Sequence, residues 1–157
     1  MTIIQETKFS FTEKLKLRDF NKLYLIILHH RAGDGDVDSI HAIHKRRGFA
    51  GIGYHFYIRK DGTIYRGRPV EFIGAHCSGN NSSSIGICLE GDFRKEQPTE
   101  EQLLNLSELI HDLKMEYPQI KRVLNHRDFC KTICPAIDLK TMVKGVKKDG
   151  YFRANYK

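Results

Sequence analysis

The chain has no tryptophan, three methionines and four prolines in 157 residues. None of its apolar runs approaches the roughly 20 residues that a membrane span requires, so a transmembrane protein is not expected. It lacks internal repeats and low-complexity segments, which argues against solenoids and linker-rich architectures. Gly51-Ile52-Gly53 has no third glycine, no preceding strand and no following helix, so it is not a dinucleotide-binding loop. The first seven residues, Met1 to Thr7, combine no basic start with an apolar core, so no secretory signal is expected. Cysteine is sparse as well, at positions 77, 88, 130 and 134. If one of the four holds a metal, the other three cannot all pair within the chain. A reduced, cytoplasmic site of synthesis fits better than a disulfide scaffold.

What is present is the composition of an ordinary globular domain, 40% hydrophobic and 29% charged, long enough for a real core. The formal net charge of +7 favours anionic partners such as nucleic acid, anionic membrane or bacterial wall polymers. Charge alone does not choose among them.

Along the chain, Phe9, Phe11, Leu15 and Leu17 show a spacing of two and suggest an edge strand within residues 1–22. Leu23 to Leu28 is an uninterrupted apolar run that reads as a strand buried on both faces, and it ends in His29-His30. Asp38 or Ser39 is expected to cap a short helix from Ile40 to Arg47, stopped by Gly48. His41 and His44 on that helix are expected at its surface or end, because no carboxylate accompanies them as in a zinc helix motif. Tyr54 begins a strand that turns at Lys60 to Thr63 and returns through Ile64 to Arg66. Residues 67–84 form a polar loop long enough to suggest function. Ile85 to Leu89 is a second buried strand, with Cys88 as a small core residue. Thr99 and Gln102 form a capping box ahead of a Leu/Ile stripe that runs to Leu113, and Pro118 ends that helix. Ile120 to Leu124 is a last strand, and a closing helix is expected from Asp138 to Val146. This alternation predicts a single-domain α/β fold, a central mostly buried mixed sheet flanked by helices, with sites at the carboxyl ends of its strands.

One stretch concentrates the chemistry. Asn125-His126-Arg127-Asp128-Phe129-Cys130-Lys131-Thr132-Ile133-Cys134-Pro135 hangs from the end of the last strand, where a loop can aim ligands at a metal. His126 and Cys134 are the expected pair of zinc ligands. The third ligand is expected upstream, at the strand end carrying His29 and His30. Two imidazoles and a thiolate with an open fourth position are the donor set of a catalytic zinc.

Several further motifs occur in a recognisable order. They are Ile27-Leu28-His29, Ile43-His44-Lys45, Gly53-Tyr54-His55-Phe56, Asp61-Gly62-Thr63, Gly74-Ala75-His76 with Asn81, Ser84-Ile85-Gly86-Ile87, and His126-Arg127-Asp128 through Cys134-Pro135. In this order the chain resembles the zinc-dependent N-acetylmuramoyl-L-alanine amidases of the phage-lysozyme and peptidoglycan-recognition-protein type, from about Leu25 to Leu139. The resemblance implies one catalytic Zn2+ held by His29, His126 and Cys134, with Tyr54 as a catalytic phenol and His76 and Asn81 contacting substrate. It makes Thr132 the oxyanion partner, with Lys131 beside it as the alternative, and leaves Cys130 without a role. It further implies a bacterial peptidoglycan substrate, no nucleic-acid partner and no stable membrane association; a monomer is favoured, with the oligomeric state left open by the sequence. The implied division is an N-terminal extension over 1–22, a catalytic domain over 23–146 and a basic tail over 147–157. The expected setting is an endolysin made in the cytoplasm and let through to the wall by a holin-type partner. The competing expectation is a peptidoglycan-binding module of the same fold without catalysis, against which Cys134 argues.

Overall fold

A computed structural model describes residues 2–146; the expected basic tail, 147–157, lies outside the described residues. Six strands form one mixed sheet: β1 (Ile4–Gln5), β2 (Leu25–His30), β3 (Phe56–Ile58), β4 (Ile64–Arg66), β5 (Ser84–Leu89) and β6 (Arg122–Asn125), in the order β1-β4-β3-β5-β2-β6. β2 is paired in parallel on both sides, with β5 and with β6. Only the β3–β4 hairpin is antiparallel.

The apolar runs explain why β2 and β5 lie at the centre. Strand side chains alternate between faces, and in β2 both faces are covered: every residue from Ile26 to His30 is buried. Ile26 and Leu28 join Ile85, Ile87 and Leu89 of β5 in a core completed by Leu103, Leu106, Leu109, Ile110 and Leu113. Those last five belong to α2 (Glu100–Glu116), and α3 (Leu139–Lys144) adds Leu139 and Val143 to the same face. Burying each such side chain stabilises the fold by roughly 1.5–3 kcal/mol. The expected capping box starts α2: Thr99 Oγ1 accepts from the Gln102 N–H at 3.1 Å, and Gln102 accepts in return from the Thr99 N–H at 3.0 Å.

The opposite face of the sheet packs on α1 (Val37–Arg46), where Val37, Ile40, Ile52, Tyr57 and Cys88 form a second, smaller core. The cap of α1 is Asp36 and not Asp38 or Ser39; its side chain accepts from the Ser39 N–H at 2.9 Å, so the helix starts earlier than expected.

The N-terminal segment departs from expectation. The edge strand is the short Ile4–Gln5 pairing with β4. The alternating Phe9 to Leu17 stretch makes only one isolated bridge, Leu17 to Phe72. Phe9 and Phe11 instead pack on His41 of α1, with ring centroids 4.2 and 5.1 Å away, so their spacing serves a face contact rather than a ladder. Arg18 anchors this segment. Its buried guanidinium donates to the carbonyls of Val70, Ser82, Phe72 and Ser84. Arg18→Met leaves those carbonyls of the long loop without their donor, and is expected to cost about 3 kcal/mol in urea unfolding; a change within experimental error would show that water replaces the guanidinium freely.

Candidate active site

The site begins with the period of β2. His29 points to the α1 face, while His30 points the other way and its Nδ1 accepts from the Phe93 N–H at 3.1 Å. Of the two strand-end histidines, His29 therefore presents its ring to the loop after β6, whereas His30 meets Cys134 through its backbone carbonyl, 3.8 Å from the sulfur. The parallel register sets Leu28 opposite Asn125, so the next residues in each chain, His29 and His126, emerge side by side with ring centroids 4.5 Å apart. Cys134 Sγ stands 3.8 Å from His29 Nδ1. One donor atom each from His29, His126 and Cys134 lies within 4.8 Å of the others.

The loop that carries two of these groups is held by polar contacts at its base. Asn125 is fully buried; its Oδ1 accepts from the Lys140 N–H at 3.0 Å and its Nδ2 donates to Asp138 at 2.9 Å. Asp128 accepts from the Asn125 N–H and pairs with Lys140 Nζ, both at 2.8 Å. The Arg127 N–H donates to the Cys134 carbonyl at 2.8 Å, closing the loop, and the Cys134–Pro135 peptide is cis. Thr132 Oγ1 accepts from the Cys134 N–H at 3.2 Å, which leaves the hydroxyl hydrogen available for another acceptor.

Behind His29 runs a hydrogen-bond chain whose direction can be deduced from its far end. Ser84 Oγ lies 2.6 Å from the Asn80 carbonyl, to which it must donate. It therefore accepts from His76 Nε2, 3.2 Å away. His76 Nδ1, lacking a proton, accepts from His29 Nε2 at 2.9 Å. His29 is thus the Nε2–H tautomer with a bare Nδ1 facing Cys134. The period of β5 makes room for this: Ser84, Gly86 and Cys88 share the site face. The His76 ring lies so close over Gly86 that an added Cβ would come within 2.6 Å of it.

His76 and Asn81, the expected substrate contacts, are also engaged within the protein. His76 is buried with both ring nitrogens occupied. Asn81 Oδ1 accepts from the His76 and Cys77 N–H groups at 2.9 and 2.8 Å, organising the loop. The positioning role of His76 escaped sequence reasoning because it requires knowing that residues 76 and 84 flank the same strand face. His41 and His44, expected at the surface or end of α1, are both buried, and their Nδ1 atoms accept from the N–H groups of Ile52 and Gly53 at 3.0 and 2.9 Å. They shape the turn that leads into Tyr54.

Tyr54 stands with its ring 5.0 Å from that of His29. Burial, reinforced by the Cys88 and Cys134 thiols, holds its pKa well above the usual phenol value, so it remains a hydrogen-bond donor. A cavity of about 300 Å³ is lined by His29, Tyr54, Arg94, His126, Thr132 and Cys134, among others. Lys131 is not among its lining residues. Arg94, which sequence reasoning did not single out, reaches the rim while pairing with Asp92 at 2.7 Å.

The three-donor cluster fits a metal such as zinc. Tetrahedral zinc with two nitrogens and a sulfur keeps its ligand atoms about 3.5 Å apart; His29 Nδ1 and Cys134 Sγ are 3.8 Å apart, and all three donors lie within 4.8 Å of one another. Burial also lowers the pKa of His29 and of His126, so both imidazoles are neutral and able to coordinate. Burial pushes the Cys134 thiol up to about 11 without a cation; a coordinating metal would deprotonate it.

The fold and site together define a single-domain α/β protein with a metal-competent His/His/Cys cluster beneath a cleft. A family model described as N-acetylmuramoyl-L-alanine amidase matches residues 19–137. The endolysin of Enterobacteria phage K11 is 38% identical over 116 residues, covering 71% of this chain and 76% of that protein. Peptidoglycan-recognition protein SC2 of Drosophila melanogaster is 30% identical over 154 residues, covering 88% and 83%. Among solved structures, the N-acetylmuramoyl-L-alanine amidase LysC from Clostridium intestinale URNW superposes with a TM-score of 0.82 at 38% identity, covering 88% of this chain and 91% of that one. The chain belongs to the N-acetylmuramoyl-L-alanine amidase family, and its activity is that of an amidase.

Two buried histidines outside the donor cluster have a measurable consequence. His44 is pushed down to about 4 and His55 to about 3, chiefly by burial, with Arg47 and Arg18 adding to the respective shifts. Each accepts a backbone N–H on Nδ1 and so must be neutral when folded. Unfolded, each binds a proton below about 6.5. Between that pH and about 4, the unfolded chain holds protons that the fold refuses, so stability rises with pH through this window. The slope is expected to approach about 1.4 kcal/mol per pH unit for each histidine. Urea unfolding of metal-free protein from roughly pH 7 to pH 4.5 would show this loss; a flat profile contradicts it.

Proposed function

We propose that this protein is a phage-type endolysin that hydrolyses the amide bond between N-acetylmuramic acid and L-alanine in bacterial peptidoglycan, using one zinc ion held by His29, His126 and Cys134. The observation that carries this reading is the convergence of those three donors, within 4.8 Å of one another, on the floor of the cavity that Tyr54 and Thr132 line. Zinc bound there would supply Lewis acidity toward the scissile carbonyl and toward the attacking water.

The chain's own groups do the rest. The His76–Ser84–Asn80 chain holds His29 in one tautomer and one orientation, as a partner behind a metal-binding imidazole must. As the carbonyl is attacked, negative charge develops on its oxygen. Two residues that line the cavity carry donors that would meet it: Tyr54, whose hydroxyl is kept protonated by burial, and Thr132, whose hydroxyl oxygen is already engaged by the Cys134 N–H. Thr132 fits this role better than Lys131, which is exposed and outside the cavity lining. Among the described residues no carboxylate lines the cavity, and the proton needed by the leaving amine would come from Tyr54 or from solvent. The substrate's acyl and amine sides would lie along the cleft lined by Ala32, Tyr54 and Arg94 and by the loop that carries His126, Thr132 and Cys134. Among the described residues no helix is long and apolar enough to cross a membrane, in keeping with an enzyme that reaches the wall through a holin-type partner. The net charge of +7 draws it to anionic wall polymers.

Digestion of purified walls tests the reading. New amino termini should appear without new reducing ends, and elemental analysis should find one zinc per chain. Cys134→Ser should lose both zinc and activity, whereas Cys130→Ser should keep that zinc. A folded protein that binds walls, holds no zinc and releases no stem peptide would refute the proposal.

Tyr54→Phe separates chemistry from metal binding. It keeps the ring contacts with His29 and His44 and removes only the hydroxyl. The expected outcome is a kcat lower by about 10²–10³-fold, with zinc content unchanged. A kcat within twofold of the parent would remove Tyr54 from the mechanism.

A further inference from the structure

A second cluster of metal-ligating side chains lies against the first. Cys77, in the long loop before β5, and Cys130, in the loop after β6, bring their sulfurs to 3.3 Å across 53 residues of chain. His126 completes a second set of three donors within 4.8 Å, so its ring belongs to both clusters. We infer that Cys77, Cys130 and His126 form a second, soft-metal site that withdraws His126 from the first when zinc is in excess. The inference rests on the proposed role of His126 as a ligand of the catalytic zinc.

Three observations favour coordination over a disulfide. Two thiolates on one zinc stand about 3.8 Å apart, which the observed pair reaches by opening roughly half an ångström. A disulfide needs about 2.05 Å and a closure of more than an ångström. Cys77 is also 1% exposed, and burial pushes its thiol up to about 12, so it is a poor partner for thiol–disulfide exchange. Finally, Asn80 Nδ2 lies 3.8 Å from Cys77 Sγ, where it can donate to a thiolate. On loading, each thiol releases its proton to solvent as its sulfur bonds the cation; no electron is transferred. Cys130 is partly exposed and provides the way in. The site joins the long loop before β5 to the loop after β6.

The test uses the whole chain. Cys134→Ser disables the first site and leaves the second intact. Titrated with cadmium, it should take up one equivalent and develop a thiolate-to-cadmium charge-transfer band in the ultraviolet. Adding Cys130→Ser should abolish that band. Because Cys130 is partly exposed, its replacement is expected to preserve the fold, and circular dichroism checks this. In the parent protein, zinc beyond the first equivalent should reduce wall hydrolysis at least tenfold, and Cys130→Ser should resist that inhibition.

No cadmium uptake by Cys134→Ser, or a band that survives loss of Cys130, overturns the second site. A second equivalent bound by the parent without loss of activity overturns the sharing of His126. If the catalytic reading fails, the parent will lack its first zinc and its activity, while the cadmium arm still reports on Cys77 and Cys130.

Discussion

The burial of β2 between two parallel neighbours governs everything else in the molecule. With β5 on one side and β6 on the other, and helices over both faces, each side chain of β2 has one permitted direction. A slip of one residue would turn Ile26 and Leu28 out of the larger core. It would also turn His30 toward the cleft and His29 toward Phe93. The hydrophobic core therefore decides which histidine is presented for chemistry. The same register, Leu28 opposite Asn125, brings His126 beside His29 from nearly a hundred residues away. Packing and site geometry are one constraint seen from the two ends of a strand.

The buried histidines around this strand are uncharged although the chain is basic overall. His29, His44, His55 and His76 are all buried, and burial keeps each neutral at ordinary pH. Each accepts a hydrogen bond on a ring nitrogen or leaves it bare toward the thiol, an arrangement that only the neutral form allows. His41, His44 and His55 serve the backbone, capping the N–H groups of Ile52, Gly53 and Gly86. His29 and His76 serve the cleft. The same side-chain chemistry, held neutral by the same desolvation, supports the loops in one place and a metal-competent nitrogen in the other. Apart from the buried guanidiniums of Arg18 and Arg68, which donate to backbone carbonyls, most of the positive charge lies toward the surface, where it bears on encounter.

The parts of this arrangement carried by local sequence were legible. The unbroken apolar run of β2, the capping box of α2 and the spacing from His126 to Cys134 each express a short-range requirement, and each is visible without coordinates. What escaped depends on distant contacts. Phe9 and Phe11 alternate like a strand, but their partner is the His41 ring on α1, which no local pattern announces. His76 lies in a polar loop and looks available to substrate, until the ring is found over Gly86 with both nitrogens engaged. Arg94 follows β5 by only a few residues, yet its place at the rim depends on the turn that Asp92 makes. Cys130 seemed idle because its neighbour, Cys77, is on another loop. A residue's type and spacing show what it can do; burial and partners across the sheet decide which of its roles is open.

That distinction has a consequence for the loop after β6. It carries His126, Thr132 and Cys134, and its base is tied to α3 through Asn125, Asp128, Asp138 and Lys140. α3 in turn is held by Leu139 and Val143 in the core on the far side of the sheet from the cleft. A change that loosens this short helix would therefore move two of the three donors without touching either. The reverse also holds: a cation bridging His29 on β2 to Cys134 on the loop would brace the loop and, through Asn125, the seat of α3. Binding to the folded chain alone adds its free energy to stability. Stability of the small helix and occupancy of the cleft are thus linked through a single loop. That loop is held by part-buried polar contacts at its base together with Ala136 and Ile137, which pack against the larger core.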